Sequence, residues 1–355
     1  MTYLVTGAAG FIGFHVANRL LERGETVVGI DSLNSYYSVD LKKARLNELR
    51  SHRAFRFAKV DIADMAALVA AVSKEPVRRV VHLAAQAGVR YSIENPHAYV
   101  HANLAGHLNM LEVCRRSDSI ETMAYASSSS VYGGNTKLPF SESDPVDNPV
   151  SLYAATKKAD ELMSQTYAHL YRLPLTGLRF FSVYGPWGRP DMALWLFTEA
   201  ILARRPIKVF NHGNMRRDFT YIDDIVSGVV AAVDRPPIDD GVKAPHRVYN
   251  IGNNRSERLT DMIATIETAL GMTAEREYLP MQPGDVPETC ADIDAISRDL
   301  GFEPTTPISI GIPRFVAWYK QYHSTPATND RPGRQITNLR ARKSNNSAGR
   351  TPVAG

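Results

Sequence analysis

The segment Thr6-Gly7-Ala8-Ala9-Gly10-Phe11-Ile12-Gly13 constrains this chain more than any other. Before it, Tyr3, Leu4 and Val5 read as a short strand. After it, Val16, Ala17, Leu20 and Leu21 recur at helical spacing as far as Gly24. Gly7, Gly10 and Gly13 stand at G-x-x-G-x-x-G spacing in the turn between. A side chain there would keep the backbone away from a pyrophosphate, and a helix N-terminus turns free N–H groups and partial positive charge toward such an anion. The next strand, Thr26 to Ile30, ends at Asp31, where a carboxylate can accept hydrogen bonds from an adenosine ribose. A 2′-phosphate would be repelled at that position, so the pattern predicts NAD rather than NADP. Gly7, Gly10, Phe11, Ile12, Gly13 and Asp31 are the expected cofactor contacts of this unit.

Strands and helices keep alternating downstream. Phe55 to Val60 reads as a strand that leads into Asp61 and Ile62, a pair that commonly flanks the adenine in such folds. Arg79 to Leu83 is another strand, followed by Ala84 and Ala85, whose small side chains let the backbone lie against a cofactor. A long helix covers about Ala98 to Arg116 and contains Asn103. A strand from Thr122 to Ala126 runs into Ser127-Ser128-Ser129-Ser130-Val131-Tyr132-Gly133, and a further helix opens near Ser151. This alternation predicts an α/β fold with a doubly wound, mainly parallel sheet of the Rossmann type. Beyond Leu173 the pattern loosens. Pro and Gly density marks Phe181 to Pro190 as a shaped loop rather than regular structure, and Pro280 to Val286 as a second one. We expect a cofactor domain over residues 1–175 with a returning segment at about 218–250. A smaller, discontinuous α/β substrate domain over 176–217 and 251–323 would complete the fold. The cleft between them is the expected substrate site. Residues 324–355, rich in Pro, Ser, Asn and Arg, are expected to form a disordered basic tail.

Composition narrows the partners. With 44% hydrophobic and 22% charged residues, the chain reads as an ordinary globular protein. Its net charge of +4 owes much to the tail, and no basic stripe with interleaved aromatics suggests nucleic acid. Two cysteines, Cys114 and Cys290, provide no disulfide framework, which suits a reducing cytoplasm. The apolar N-terminal run carries His15, Asn18 and Arg19, so neither a signal peptide nor a membrane span is expected. The histidines show no metal-ligand spacing, and no metal is expected.

Tyr153 and Lys157 stand four apart and share one helix face. A free phenol, with a pKa of ~10, is a poor base at neutral pH, but an adjacent ammonium favours the phenolate. Such a pair can take the proton of a substrate hydroxyl, and a serine at the neighbouring strand end can bridge the same oxygen. Taken together, the glycine turn, the Asp31 strand end, Asn103, the serine cluster and Tyr153-x-x-x-Lys157 resemble the extended short-chain dehydrogenases/reductases over about residues 1 to 320. Within that group the chain is most similar to the nucleotide-sugar 4-epimerases.

The resemblance implies several roles. Ser128, with Ser127 and Ser129 close beside it, takes the place of the catalytic serine, and Tyr153 and Lys157 complete the set. Asn103 falls next to the cofactor ring. Arg217 maps onto a diphosphate contact and Asp285 onto a nucleoside contact, although Gln282 replaces the arginine that galactose-type epimerases carry three residues before that Asp. Ser129 and Arg90 are further substrate candidates. Dehydratases of this fold carry Thr-Asp-Glu at the active strand end, and UDP-glucuronate decarboxylases carry a Glu where this chain has Ser130. The stretch Leu33-Asn34-x-Tyr36-Tyr37-x-x-x-Leu41-Lys42-x-x-Arg45-Leu46 resembles the UDP-glucuronate 4-epimerase subfamily instead. In that reaction a 4-keto uronate forms, a β-keto acid that loses CO₂ if its carboxylate bond aligns with the carbonyl π system. Arg189 and Ser182, seven apart in the first shaped loop, are the residues expected to hold the carboxylate out of alignment. Members of the family usually dimerise through the helices at about 98–116 and 153–171, which implies a homodimer. Two alternatives remain open at this stage: a 4-epimerase of UDP-hexoses or UDP-N-acetylhexosamines, and a non-catalytic NAD-binding regulator.

Overall fold

A computed structural model of the chain describes residues 1–282 and 284–324. The segment from 325 onward, where the sequence suggests a basic tail, lies outside the described residues. Twelve strands are present among them: β1 (Thr2–Thr6), β2 (Thr26–Asp31), β3 (Phe55–Lys59), β4 (Arg79–His82), β5 (Thr122–Ser128), β6 (Leu175–Phe180), β7 (Ser182–Tyr184), β8 (Ile207–Phe210), β9 (Arg216–Tyr221), β10 (His246–Ile251), β11 (Ser256–Arg258) and β12 (Arg276–Leu279). Seven form one sheet in the order β10-β6-β5-β4-β1-β2-β3, with every pairing parallel.

Helices cover both faces of this sheet, so its strands bury residues of both parities. Tyr3, Val5, Val81, Ala124 and Leu178 join one apolar core, while Leu4, Val28, Val80, Met123 and Leu175 join the other. That period-2 division is the pleat expressed as packing. The helix Phe11–Glu22 buries Phe11, Phe14, Ala17, Leu20 and Leu21 against the first core. The chain order reverses between β1 and β4, and the crevice at their carboxyl ends is the place where doubly wound sheets bind ligands.

Two expectations need correction. Residues 175–180 do not open the second unit: β6 lies between β5 and β10 in the large sheet, and the chain leaves that sheet only at Phe181. The sequence pattern loosens after Leu173 because the helical alternation stops there, yet all six residues of β6 are buried. The stretch Phe181 to Pro190 is not wholly irregular either. Its Ser182–Tyr184 part is β7, which pairs in parallel with β9, and β9 pairs antiparallel with β11. Three residues are too few for an alternation signal, so only the partner strand reveals it. A further parallel pair, β8 with β12, carries Phe210 at its end.

Candidate active site

A cleft of about 1300 Å³ opens at the β1/β4 crevice and extends toward β7–β9. Gly7, Gly10, Phe11, Ile12, Gly13, Asp31, Asp61, Ile62, Leu83, Ala84 and Ala85 all line it. The glycines are required by close approach. Gly7 has φ +70°, and a Cβ there would sit 2.9 Å from the Ala84 nitrogen; a Cβ on Gly13 would collide with the Gly7 carbonyl oxygen. No side chain caps the helix Phe11–Glu22 at Gly10, which leaves its N-terminus able to meet an anion. Asp31 closes β2 with Oδ2 accepting from the Ala9 nitrogen (3.1 Å) and Oδ1 from the Leu33 nitrogen (2.8 Å), which fixes the carboxylate at the cleft wall. An open glycine cradle, an uncapped helix start and an anchored acid one strand away fit a dinucleotide of the NAD type. Asp61 sits at the rim, with Oδ2 3.0 Å from His101 Nε2, and Ile62 packs over Gly106.

Asn103, which the resemblance puts next to the cofactor ring, is held by protein partners beside the cleft residue Gln86. It is 1% exposed and does not line the cleft. Its Oδ1 accepts from the Gln86 nitrogen (2.8 Å), and its Nδ2 donates to the Gln86 oxygen (3.1 Å) and to Thr156 Oγ1 (2.9 Å). With its amide fully engaged, Asn103 ties the loop after β4 to the helix bearing Tyr153. The π-helical turn Val100–Ala105 supplies the widened backbone on which it sits.

The serine, tyrosine and lysine converge on the cleft. Ser151 caps the helix Leu152–Tyr171, its Oγ accepting from the Ala154 nitrogen (3.1 Å), which sets Tyr153 in the first turn. Tyr153 faces Tyr99 edge-on at 6.0 Å between ring centroids. Lys157 is buried; its Nζ donates to the Ala126 oxygen and to Asp160 Oδ2, both at 2.9 Å. Burial pushes the Asp160 carboxyl up to about 6, against the pull of Lys157. Two of the three lysine protons are thus committed to protein. The serines divide the same way. Ser127 Oγ donates to Glu161 Oε1 (2.6 Å), and Glu161 is gripped by both ends of the Arg179 guanidinium, at 2.8 and 2.9 Å. Ser128 Oγ donates to Ser130 Oγ (3.0 Å) and accepts from the Ser130 nitrogen (3.2 Å) at the cleft wall, and Ser129 lines the cleft beside it.

Ser182, Arg189, Arg217, Asp285 and Arg90 line the same cleft. Arg189 Nε donates to Asp191 Oδ1 (3.0 Å), and Nη2 donates to Asp191 Oδ2. Burial works against its charge, but Asp191, with Tyr36 and Tyr153 nearby, outweighs that and keeps it cationic. Arg90 and Asp285, nominated separately from sequence, are partners: Nη2 donates to Oδ2 at 3.1 Å, and the guanidinium lies 4.9 Å over the Phe210 ring. Burial lowers the Arg217 pKa, opposed by Asp285, so an added anion in the cleft would gain from its charge. Tyr36, Lys42 and Asp191 also line the cleft and were given no role by sequence reasoning. Lys42 Nζ reaches the Asn34 oxygen and Oδ1, both at 2.8 Å. For Tyr36 and Lys42 the only signal was the unusual spacing of the 33–46 stretch, and Asp191, outside it, carried none. Among the described residues, no three His, Cys, Asp or Glu side chains gather as a metal site.

The comparisons agree with this geometry. Residues 3–252 match the model of the NAD dependent epimerase/dehydratase family. Protein CapI of Staphylococcus aureus is 52% identical over 334 residues, covering 91% of this chain and 99% of that protein. A probable UDP-glucuronate 4-epimerase of Rhizobium meliloti (strain 1021) is 47% identical over 333 residues, covering 90% and 97%. Among solved structures, the UDP-glucuronic acid 4-epimerase of Bacillus cereus in complex with UDP-glucuronic acid and NAD superposes with a TM-score of 0.82 at 34% identity, covering 91% of this chain and all of that one. A glycine cradle at the switch point, a Tyr153–Lys157 helix beside a serine strand end, and matches of this extent place the chain in the NAD dependent epimerase/dehydratase family, a group of extended short-chain dehydrogenases/reductases.

Proposed function

We propose that this protein interconverts UDP-glucuronate and UDP-galacturonate at carbon 4 and keeps its NAD bound through turnover. The observation that carries the reading is that one cleft is lined both by Tyr153, Ser128 and Lys157 and by the cationic Arg189. The Tyr153 phenolate, favoured by the Lys157 ammonium, takes the proton of the 4-hydroxyl and becomes the neutral phenol, while Ser128 bridges the same oxygen. Bound NAD supplies the hydride acceptor and donor at carbon 4, with no net redox change. Arg217 holds the diphosphate. Asp285, paired with Arg90, closes the nucleoside end. The 4-keto sugar turns over within the cleft, while Arg189 and Ser182 keep its carboxylate out of line with the carbonyl π system. A neutral-sugar epimerase would have no use for a guanidinium there; the Arg189 side chain is 22% exposed, at the cleft wall rather than in bulk solvent.

A proton NMR time course of the purified protein with UDP-glucuronate and no added NAD tests this. Conversion to UDP-galacturonate, stopping at a mixture of both, is the expected result. UDP-xylose or a 4-keto pentose as main product would mean a decarboxylase instead, and turnover of UDP-galactose or UDP-N-acetylgalactosamine alone would favour a neutral substrate.

The assembly we infer is a homodimer built on the helices Gly106–Arg116 and Leu152–Tyr171. Leu108, Leu162, Leu170 and Tyr171 are exposed on them at 40%, 57%, 59% and 46%, an apolar surface that pairing would cover. Light scattering should return twice the chain mass; a monomer mass would refute it. Two unpaired cysteines support a cytoplasmic location, which cell fractionation checks.

A further inference from the structure

The stretch at 33–46 contributes no atom to the chemistry above, yet it reaches into the substrate wall at two points. Tyr36 OH donates to Asp191 Oδ2 (3.0 Å), the same carboxylate that grips Arg189 through Nε and Nη2. Its ring packs tilted against Tyr91, 4.7 Å between centroids, and Gly88, at φ +104°, is bare where a Cβ would meet the Tyr36 hydroxyl at 2.8 Å. Burial and the neighbouring Asp191 raise the Tyr36 pKa, so the phenol stays a donor. Nine residues on, Arg45 is fully buried and acts from the other side. Its Nη2 donates to the Trp187 oxygen (2.6 Å) and the Gly188 oxygen (3.2 Å), and its Nη1 to the Ala9 oxygen and Tyr37 OH, both at 2.8 Å. Trp187 has φ +61°, a backbone state that a tryptophan keeps only when its surroundings hold it there.

Arg189 is therefore bracketed. Arg45 pins the two residues before it to the glycine turn of the cofactor site, and Tyr36 pins the carboxylate two residues after it. The guanidinium plane is fixed by the Nε and Nη2 bonds to Asp191. A guanidinium held this way loses little freedom on meeting a carboxylate, and small displacements of such a group cost much. We propose that Tyr36 and Arg45 are positioning residues for Arg189, and that residues 33–46 thereby form the element that selects a uronate over a neutral sugar. The inference rests on the reading of Arg189 as the carboxylate contact given above.

The test is the ratio of affinities for UDP-glucuronate and UDP-glucose, measured by calorimetry on NAD-loaded protein. Tyr36→Phe keeps the ring and removes one hydrogen bond to a charged group. It is expected to lower the ratio about tenfold, and Arg189→Ala to lower it further. In the double variant Tyr36→Phe/Arg189→Ala the ratio should equal that of Arg189→Ala alone, because Tyr36 acts only through Arg189. Arg45→Lys, which retains charge in the buried site, should move the ratio in the same direction as Tyr36→Phe. A ratio within twofold of wild type in both Tyr36→Phe and Arg45→Lys, or full additivity with Arg189→Ala, overturns the inference and leaves the proposed function standing. A wild-type protein that does not prefer UDP-glucuronate overturns the proposed function itself.

Discussion

Replacing Tyr153 by phenylalanine is expected to lower epimerase turnover by roughly 10³-fold while leaving the fold intact. The Tyr153 hydroxyl makes no hydrogen bond to the described residues, so its removal breaks none in the folded state. The ring remains against Tyr99, 6.0 Å between centroids. The melting temperature, the content of bound NAD and the affinity for UDP-glucuronate should therefore hold, and only kcat should fall. This separates loss of a proton acceptor from loss of a binding residue, which would raise KM as well. A variant that retains a tenth or more of wild-type kcat would remove Tyr153 from the proton-transfer role.

The largest expected effect on stability lies one helical turn beyond Lys157. Arg179 on β6 and Glu161 on the helix Leu152–Tyr171 form an ion pair at 2.8 Å, with side chains 4% and 5% exposed. Burial alone would raise the Glu161 pKa, but Arg179 and Ser127 outweigh it, and the net shift is downward. Arg179→Met would leave that carboxylate buried with only Lys158, at 4.0 Å, to offset it, and is expected to cost about 3–5 kcal/mol. The double variant Arg179→Met/Glu161→Leu removes both charges and should recover part of that loss. Urea unfolding midpoints at fixed NAD concentration measure both. If the single and double variants were equally unstable, the loss would come from packing and not from the stranded charge. The pair also has a functional side. Glu161 accepts from Ser127, and Arg179 Nη1 donates to Tyr132 OH at 3.0 Å, so the network locks the serine strand end against the helix that presents Tyr153 and Lys157.

Much of the site was legible in the sequence because its signals are local. A glycine turn between a strand and a helix is dictated by backbone clearance over eight residues, and the structure shows why each glycine is needed. Tyr153 and Lys157 share a face because four residues make about one helical turn. The serine run sits at a strand end, but sequence alone could not separate four consecutive serines. Ser127 differs from Ser128 only because Glu161, 34 positions away, is placed to take its hydroxyl. Asn103 shows the same limit: the partners of its buried amide, Gln86 and Thr156, are not revealed by its own helix.

What the sequence determined by itself is the order of strands and helices, the dinucleotide cradle and the residue types fit for proton transfer. Each follows from periodicity, turn chemistry or spacing within a few residues. Tertiary structure alone decided that β6 belongs to the large sheet, that β7 exists, that Arg90 and Asp285 are one pair, and that Tyr36 and Arg45 bracket Arg189. These are contacts between segments up to 195 residues apart. They are set by how the layers pack, and a one-dimensional pattern carries no record of which distant side chain fills the other half of a hydrogen bond.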